Sequence, residues 1–454
     1  MLLIPGPKAE AASGKPLSAR LRKELSSSKL DSATVSLVVY DLDANKEVFA
    51  HNAGSLLSIA STLKLLSAAA IVDEFGAGHR FTTEWRAQGF RPLKGEIDKL
   101  YVLGSADPSY SRDELRTAVS ELKKLGVKRI SETRLVNLSF DTDPANPQWT
   151  HEDAQYYYGP TLSSLCIDEN TVEVVVRIEG GVATMRPPDV VELFGLTSEV
   201  TRNGGETDFE FSWNQGAKGG VFTGSFGARR LEKGQKICIP DPLALFGLYL
   251  EREFERAGID CASIVEGDRS GVEGDSLLTQ RSAPLEDLLE RMLVNSSNFY
   301  AETLLHAAAA RSADEHGEYD QLDPLFRMLK RWGIKEGDVV LHDGSGLART
   351  NLMSARQLVR VLRGIDDDAT LKAAIKPNLG TPPDRLWHLP KSLNGDLLVK
   401  TGTMSQCRAM AGYINEPGLK GRRLAFVLIL NNFPGKVRGV LSVETGVVNA
   451  LAGK

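Results

Sequence analysis

The sequence predicts an α+β fold: an antiparallel sheet flanked by helices, divided by a large, mostly β insertion. Three observations carry this. Strand patterns lie near both ends, at 34–50 and 396–431, with connections short enough to imply antiparallel pairing. Apolar helical periodicity adjoins them, at 63–72, 285–293 and 299–310. Between these halves, from about 80 to 240, the texture turns to short strand candidates punctuated by Gly, Pro, Asp and Asn, with long helices scarce.

Taken in order, an amphipathic helix at 17–25 precedes a strand at 34–40, a polar turn at 41–46 and a returning strand at 47–50. Ser61 then opens an apolar helix that runs through Leu63, Leu65, Leu66, Ala69, Ile71 and Val72 to a glycine stop at Gly76. Within the insertion, 99–103 and 171–177 read as strands, and 172–234 as a mostly β inner module. Helical periodicity returns at 243–257 and in the consecutive pair 285–293 and 299–310. The corner between that pair is Val294-Asn295-Ser296-Ser297-Asn298, where hydroxyl and amide side chains favour backbone capping. A helix at 325–332, a turn at Asp343-Gly344-Ser345-Gly346, a helix at 354–365 and strands at 396–404, 409–414 and 424–431 complete the chain. The expected division is a main domain of 16–80 and 278–454, an inserted domain of 81–170 and 235–277, and a β-rich module of 171–234 nested in the insertion.

With 454 residues, 42% of them hydrophobic and 25% charged, the chain can bury a core divided among two or three domains. A net charge of -5 gives no basic footprint, so a nucleic-acid partner is not expected. Cys166, Cys238, Cys261 and Cys407 form no C-x-x-C pair and read as buried thiols, although an exported protein could pair two of them. Seven dispersed histidines (51, 79, 151, 306, 316, 342 and 388) offer no H-E-x-x-H, so neither metal nor cofactor is expected. The longest apolar run, 424–430, is strand-sized, and no transmembrane segment is expected. The opening residues lack a basic n-region and a full apolar h-region, although Ala9-Glu10-Ala11 resembles a cleavage-site remnant.

Chemistry concentrates in three clusters: Ser61-Thr62-Leu63-Lys64, Ser296-Ser297-Asn298 and Lys400-Thr401-Gly402-Thr403. A serine hydroxyl needs a base to become a nucleophile. Lys64 lies three positions after Ser61, on the same helix face, and its apolar neighbours imply a burial that disfavours the ammonium. Chance alone gives on the order of two S-x-x-K matches in such a chain, so context must choose. Ser26–Lys29 lies in a Ser-rich polar run ending a helix, Ser120–Lys123 reads as a solvated helix end, and neither begins an apolar helix. Ser212-Trp213-Asn214 and Ser392-Leu393-Asn394 likewise rival the second cluster. Along 400–403, alternate residues share a face and Gly402 admits a neighbouring backbone, so a peptide could pair alongside while Lys400 and the hydroxyls hold its carboxylate. The competing readings are a helix cap at Ser61, an N-cap at the corner and an exposed turn at 400–403.

In this order the clusters resemble those of the low-molecular-mass class C penicillin-binding proteins, the D-alanyl-D-alanine carboxypeptidase/endopeptidase group of peptidase family S13. The resemblance includes Asp343-Gly344-Ser345-Gly346-Leu347, continues through Ala411-Gly412-Tyr413 and Asn431-Asn432, and touches 104–108 and 158–160 more weakly. It implies a penicillin-binding/serine β-lactamase-like main domain. It also implies that Ser61 is acylated, that Lys64 is its base, and that Ser296 and Lys400 relay a proton to the leaving amine. Asn298 would bind the substrate amide, Thr401, Gly402 and Thr403 the substrate terminus, and the backbone N–H groups of Ser61 and Thr403 an oxyanion. The implied partners are peptidoglycan stem peptides and β-lactams, met in the periplasm or at the extracellular face. One departure stands out: Ser405-Gln406-Cys407-Arg408 replaces a small, glycine-containing run, with an altered pocket wall as the expected consequence. The alternatives are a β-lactamase or esterase on the same fold, disfavoured by the long gap between Lys64 and Ser296, and a weakly active peptidoglycan-binding protein.

Overall fold

The computed structural model describes residues 16–26, 30–141, 146–150, 152–180, 182–214, 219–228, 230–313, 319–383, 386–416 and 421–453. Ala9-Glu10-Ala11, Lys29 of the first rival motif, His151 and His316 lie outside them. The chain divides into two compact units, one of 1–57, 354–363 and 380–454, the other of 58–353 and 364–379.

The first unit holds a five-stranded antiparallel sheet in the order Leu397–Met404, Cys407–Glu416, Arg422–Asn431, Thr34–Asp41, Lys46–His51. Strands from the two ends of the chain meet at its centre, where Thr34 lies opposite Asn431 and Asp41 opposite Leu424. Period-two alternation sends one set of apolar side chains to the helices Leu17–Leu25 and Leu441–Leu451. Val35, Leu37, Val39, Met410 and Leu428 are buried there with Leu21, Val443 and Val447. The predicted hairpin and all three late strands are present, within a few residues of their expected ends.

In the second unit the helix Lys64–Phe75 is buried at every position from Lys64 to Val72. A helix apolar all round has no solvent face to spare. It accordingly packs against Leu285–Leu293, Asn298–Arg311, Asp323–Arg331 and Ala369–Ile375. The polar end of an otherwise apolar rod is thereby carried into the interior.

The insertion contains a six-stranded sheet built on Arg129–Asn137, Glu96–Gly104, Thr82–Gln88 and Asp275–Arg281, with the short strands Asp260–Cys261 and Ile264–Glu266 beside Arg129–Asn137. Glu96–Gly104 pairs in parallel with Arg129–Asn137, and parallel neighbours need a long crossover. The helix Arg112–Lys124 supplies it, the one long helix among the described residues of a stretch in which long helices are scarce, as expected. Leu115, Ala118, Val119 and Leu122 form its buried stripe, and Ser111 and Glu114 its capping box. The nested segment is β-rich as expected. One sheet holds Leu231–Cys238, Thr171–Glu179 and Val182–Arg186, and a four-stranded sheet centres on Gly220–Phe226.

Candidate active site

Ser61 sits in a 3-10 turn, Ala60–Leu63, and Lys64 is the first residue of the α-helix that follows. The turn approaches the loop Asp343-Gly344-Ser345-Gly346 closely. Gly346 has φ +80°, and a Cβ there would lie 2.1 Å from the Ala60 carbonyl oxygen. Only glycine meets both conditions. Ser67, one turn beyond Lys64, donates to the Gly344 carbonyl at 2.5 Å.

Lys64 is fully buried. Its Nζ lies 3.1 Å from Ser61 Oγ, 2.6 Å from Asn298 Oδ1 and 2.6 Å from the Ser345 carbonyl oxygen. Burial pulls its pKa down to about 8, against the opposing fields of Glu302 and Asp343. The neutral amine has two hydrogens and one lone pair. The amide and carbonyl oxygens can only accept, so they claim the hydrogens. The lone pair is left facing the Ser61 hydroxyl, as a general base requires.

The second cluster joins the first in this unit. Ser296 occupies the corner between helices at φ +59°. Ser297 is the N-cap of Asn298–Arg311, its Oγ accepting from the Tyr300 N–H, so the capping reading holds for Ser297 while Asn298 reaches the amine. Asn298 Nδ2 donates to the Tyr158 carbonyl at 2.7 Å, and Ser297 Oγ donates to Glu169 at 2.9 Å. Glu169 also accepts from Arg291 Nε at 3.0 Å. It belongs to a run of three left-handed residues, Asp168, Glu169 and Asn170. The insertion thus braces the corner at two points.

Two further carboxylates hold the loop behind Lys64. Glu302, four residues after Asn298 and so on the same helix face, accepts from the Ser345 N–H at 2.6 Å and the Gly344 N–H at 3.1 Å. Burial, reinforced by repulsion from Asp343, raises its pKa to about 8. Asp343 accepts from the N–H groups of Gly346 and Ala348, from Asn351 Nδ2 and from Trp149 Nε1. The sequence singled out the 343–347 stretch without giving it a role, and did not single out Glu302. The available signal was a lone carboxylate inside an otherwise apolar helical stretch.

Lys400, Thr401, Gly402 and Thr403 lie in the first unit, on the outer strand Leu397–Met404 of its sheet. Lys400 is buried, with its Nζ donating to the Thr401 carbonyl at 2.8 Å, whereas Thr403 is exposed. The rival motifs fall elsewhere. Ser120 is exposed and donates back to the Arg116 carbonyl within its helix, Ser26 donates to the Lys23 carbonyl at a helix end, and Ser212 lies on a strand of the nested module. Ser392 is in a 3-10 turn. All four cysteines are free thiols, and no helix among the described residues is long and apolar enough to cross a membrane.

A family model described as D-Ala-D-Ala carboxypeptidase 3 (S13) family matches residues 17–445. A D-alanyl-D-alanine carboxypeptidase of an Actinomadura species is 28% identical, over 99% of this chain and 88% of its own length. The crystal structure of penicillin binding protein 4 (dacB) from Haemophilus influenzae superposes with a TM-score of 0.82 at 21% identity, covering 96% of this chain and 99% of that one. A structure of that protein complexed with a novel β-lactam gives a TM-score of 0.76 at 21% identity, over 96% and 99% of the two chains. These likenesses cover nearly the whole chain.

Proposed function

The chain belongs to the D-Ala-D-Ala carboxypeptidase 3 (S13) family, and from that membership we propose that it hydrolyses D-alanyl-D-alanine termini or D-alanyl cross-links of peptidoglycan peptides through a serine acyl-enzyme. β-Lactams acylate the same serine. The observation that carries this reading is the fully buried Lys64, within 3.1 Å of Ser61 Oγ and held by two acceptor-only oxygens.

In the proposed mechanism Ser61 Oγ attacks the D-alanyl carbonyl carbon while its proton passes to Lys64 Nζ. The tetrahedral oxyanion is received by the backbone N–H groups of Ser61 and Thr403. As the C–N bond breaks, Ser296 and Lys400 relay the proton held by Lys64 to the departing amine; water then attacks the ester, giving a proton to Lys64, which returns it to Ser61 Oγ as the acyl C–O bond breaks. Asn298 orients the substrate amide. Its Oδ1 already accepts from Lys64, and a carbonyl oxygen has a second lone pair for that task. Thr401, Gly402 and Thr403 receive the substrate terminus. The proposed functional division is a catalytic domain of 16–80 and 278–454, an inserted domain of 81–170 and 235–277, and the nested module of 171–234. The site of action is the cell wall, in the periplasm or at the extracellular face.

Exposure to labelled penicillin followed by intact mass measurement and peptide mapping tests this. One adduct is expected, on the peptide containing Ser61, absent from Ser61→Ala and released slowly. Labelling that survives Ser61→Ala would overturn the assignment, and rapid turnover of the adduct would favour a β-lactamase.

A further inference from the structure

Behind the exposed Thr403 runs a chain of charge buried within the first unit. Thr403 pairs in register with Arg408 across the hairpin, and Arg408 Nη1 donates to Thr403 Oγ1 at 2.6 Å. The other side of the same guanidinium grips Glu444 in a fork, Nε to Oε1 at 2.8 Å and Nη2 to Oε2 at 3.0 Å. Glu444 is fully buried on the helix Leu441–Leu451 and also meets His388 Nε2 at 2.8 Å. The run that departs from the family pattern therefore has a defined structure. Ser405 and Gln406 turn the hairpin, with Gln406 at φ +58°, Cys407 starts the return strand, and Arg408 follows it opposite Thr403.

A hydroxyl has one proton to give and two lone pairs to offer, while a guanidinium can only donate. Arg408 therefore fills a lone pair of Thr403 and leaves the Thr403 proton to be given away. The side chain is exposed, so that proton is offered outward, to an acceptor-only group. The charge-assisted bond behind it also polarises the hydroxyl. The fork to Glu444 fixes the guanidinium plane and stops it turning outward itself.

We propose that Arg408, held by Glu444 and His388, is a positioning residue that sets the Thr403 hydroxyl as a dedicated hydrogen-bond donor, and so makes the enzyme discriminate in favour of substrates bearing a free terminal carboxylate. This rests on the assignment of Thr403 to the substrate terminus, and the experiment separates the two ideas.

The measurement is the second-order rate of acylation by benzylpenicillin and by its methyl ester, which lacks the carboxylate. Two variants that leave no unpaired buried charge are used: Arg408→Met with Glu444→Gln, and Arg408→Lys alone, in which a compact ammonium cannot span both partners as the fork does. For the first, the rate with the free acid is expected to fall about tenfold or more while that with the ester changes less than about twofold. Arg408→Lys is expected to fall between this and the parent. Thr403→Val is expected to collapse the acid-to-ester ratio by itself, and adding the Arg408 and Glu444 changes to it should cost nothing further. Equal loss on acid and ester in both Arg408 variants would mark a purely structural role and overturn the proposal. If Thr403→Val collapses the ratio but the Arg408 variants do not, the positioning idea fails alone. If Thr403→Val leaves the ratio intact, the Thr403 assignment fails and this inference with it.

Discussion

Two buried cations, one in each unit, are held in opposite ways. As the ammonium, Lys64 donates to three neutral oxygens, those of Ser61, Asn298 and Ser345, while Glu302 accepts from the amides of the loop beyond. Arg408 meets its carboxylate directly, in a two-pronged fork with Glu444. The contrast fits the role proposed for each. A base has to release its proton, and a carboxylate in direct contact would hold that proton on. A positioning cation must keep its charge, and a buried charge is stable only when paired.

The largest test of the contrast is Lys64→Arg. A guanidinium preserves the charge but does not deprotonate, so penicillin labelling is expected to slow by about 10²–10⁴-fold. Labelling near the parent rate would mean that charge, not basicity, is what position 64 supplies. In the parent, the labelling rate should rise with pH and level off above about 8, because the amine is the active form and burial has lowered its pKa.

Glu444→Ala comes next. It strands Arg408 in the core and is expected to lower stability by about 3–5 kcal/mol in urea unfolding, with the paired Arg408→Met/Glu444→Gln change costing much less. Glu302→Gln sharpens the other side. Both loop N–H groups donate to one carboxylate oxygen, which an amide oxygen can replace only as a neutral, weaker acceptor, and the expected loss is about 1–3 kcal/mol. Removing its negative field should also move the pH midpoint of labelling below that of the parent, since Glu302 favours the ammonium. A midpoint moving upward would contradict the indirect arrangement described for Lys64. The smallest effect is expected from Ser297→Ala, about 1 kcal/mol from loss of the N-cap, read by thermal melting.

The two regions also differed in how far the sequence exposed them. Ser61 and Lys64 are neighbours by helical spacing, and the apolar run after them announced the burial that shifts the amine. Glu302 shows locally only as a lone carboxylate in an apolar helix; its partners at 344 and 345 are some forty residues away, and contact is made only when the helices pack. Arg408 was noticed as a departure, yet its partner Glu444 lies on a helix beyond an intervening strand. The Arg112–Lys124 helix is a different case. Its end is legible at Ser120–Lys123 and its start in Ser111 and Glu114, but the punctuation of the surrounding sequence points to strands.

The left-handed run at 168–170 carries a consequence for how this chain can be shortened. Glu169 reaches out of the insertion to Ser297 and Arg291, and the Tyr158 carbonyl holds Asn298. A version trimmed of the intervening modules would lose both struts of the corner and leave Asn298 Nδ2 without that acceptor. The added segment is scaffolding for the proposed reaction centre, and minimal versions of this enzyme should be designed around it rather than without it.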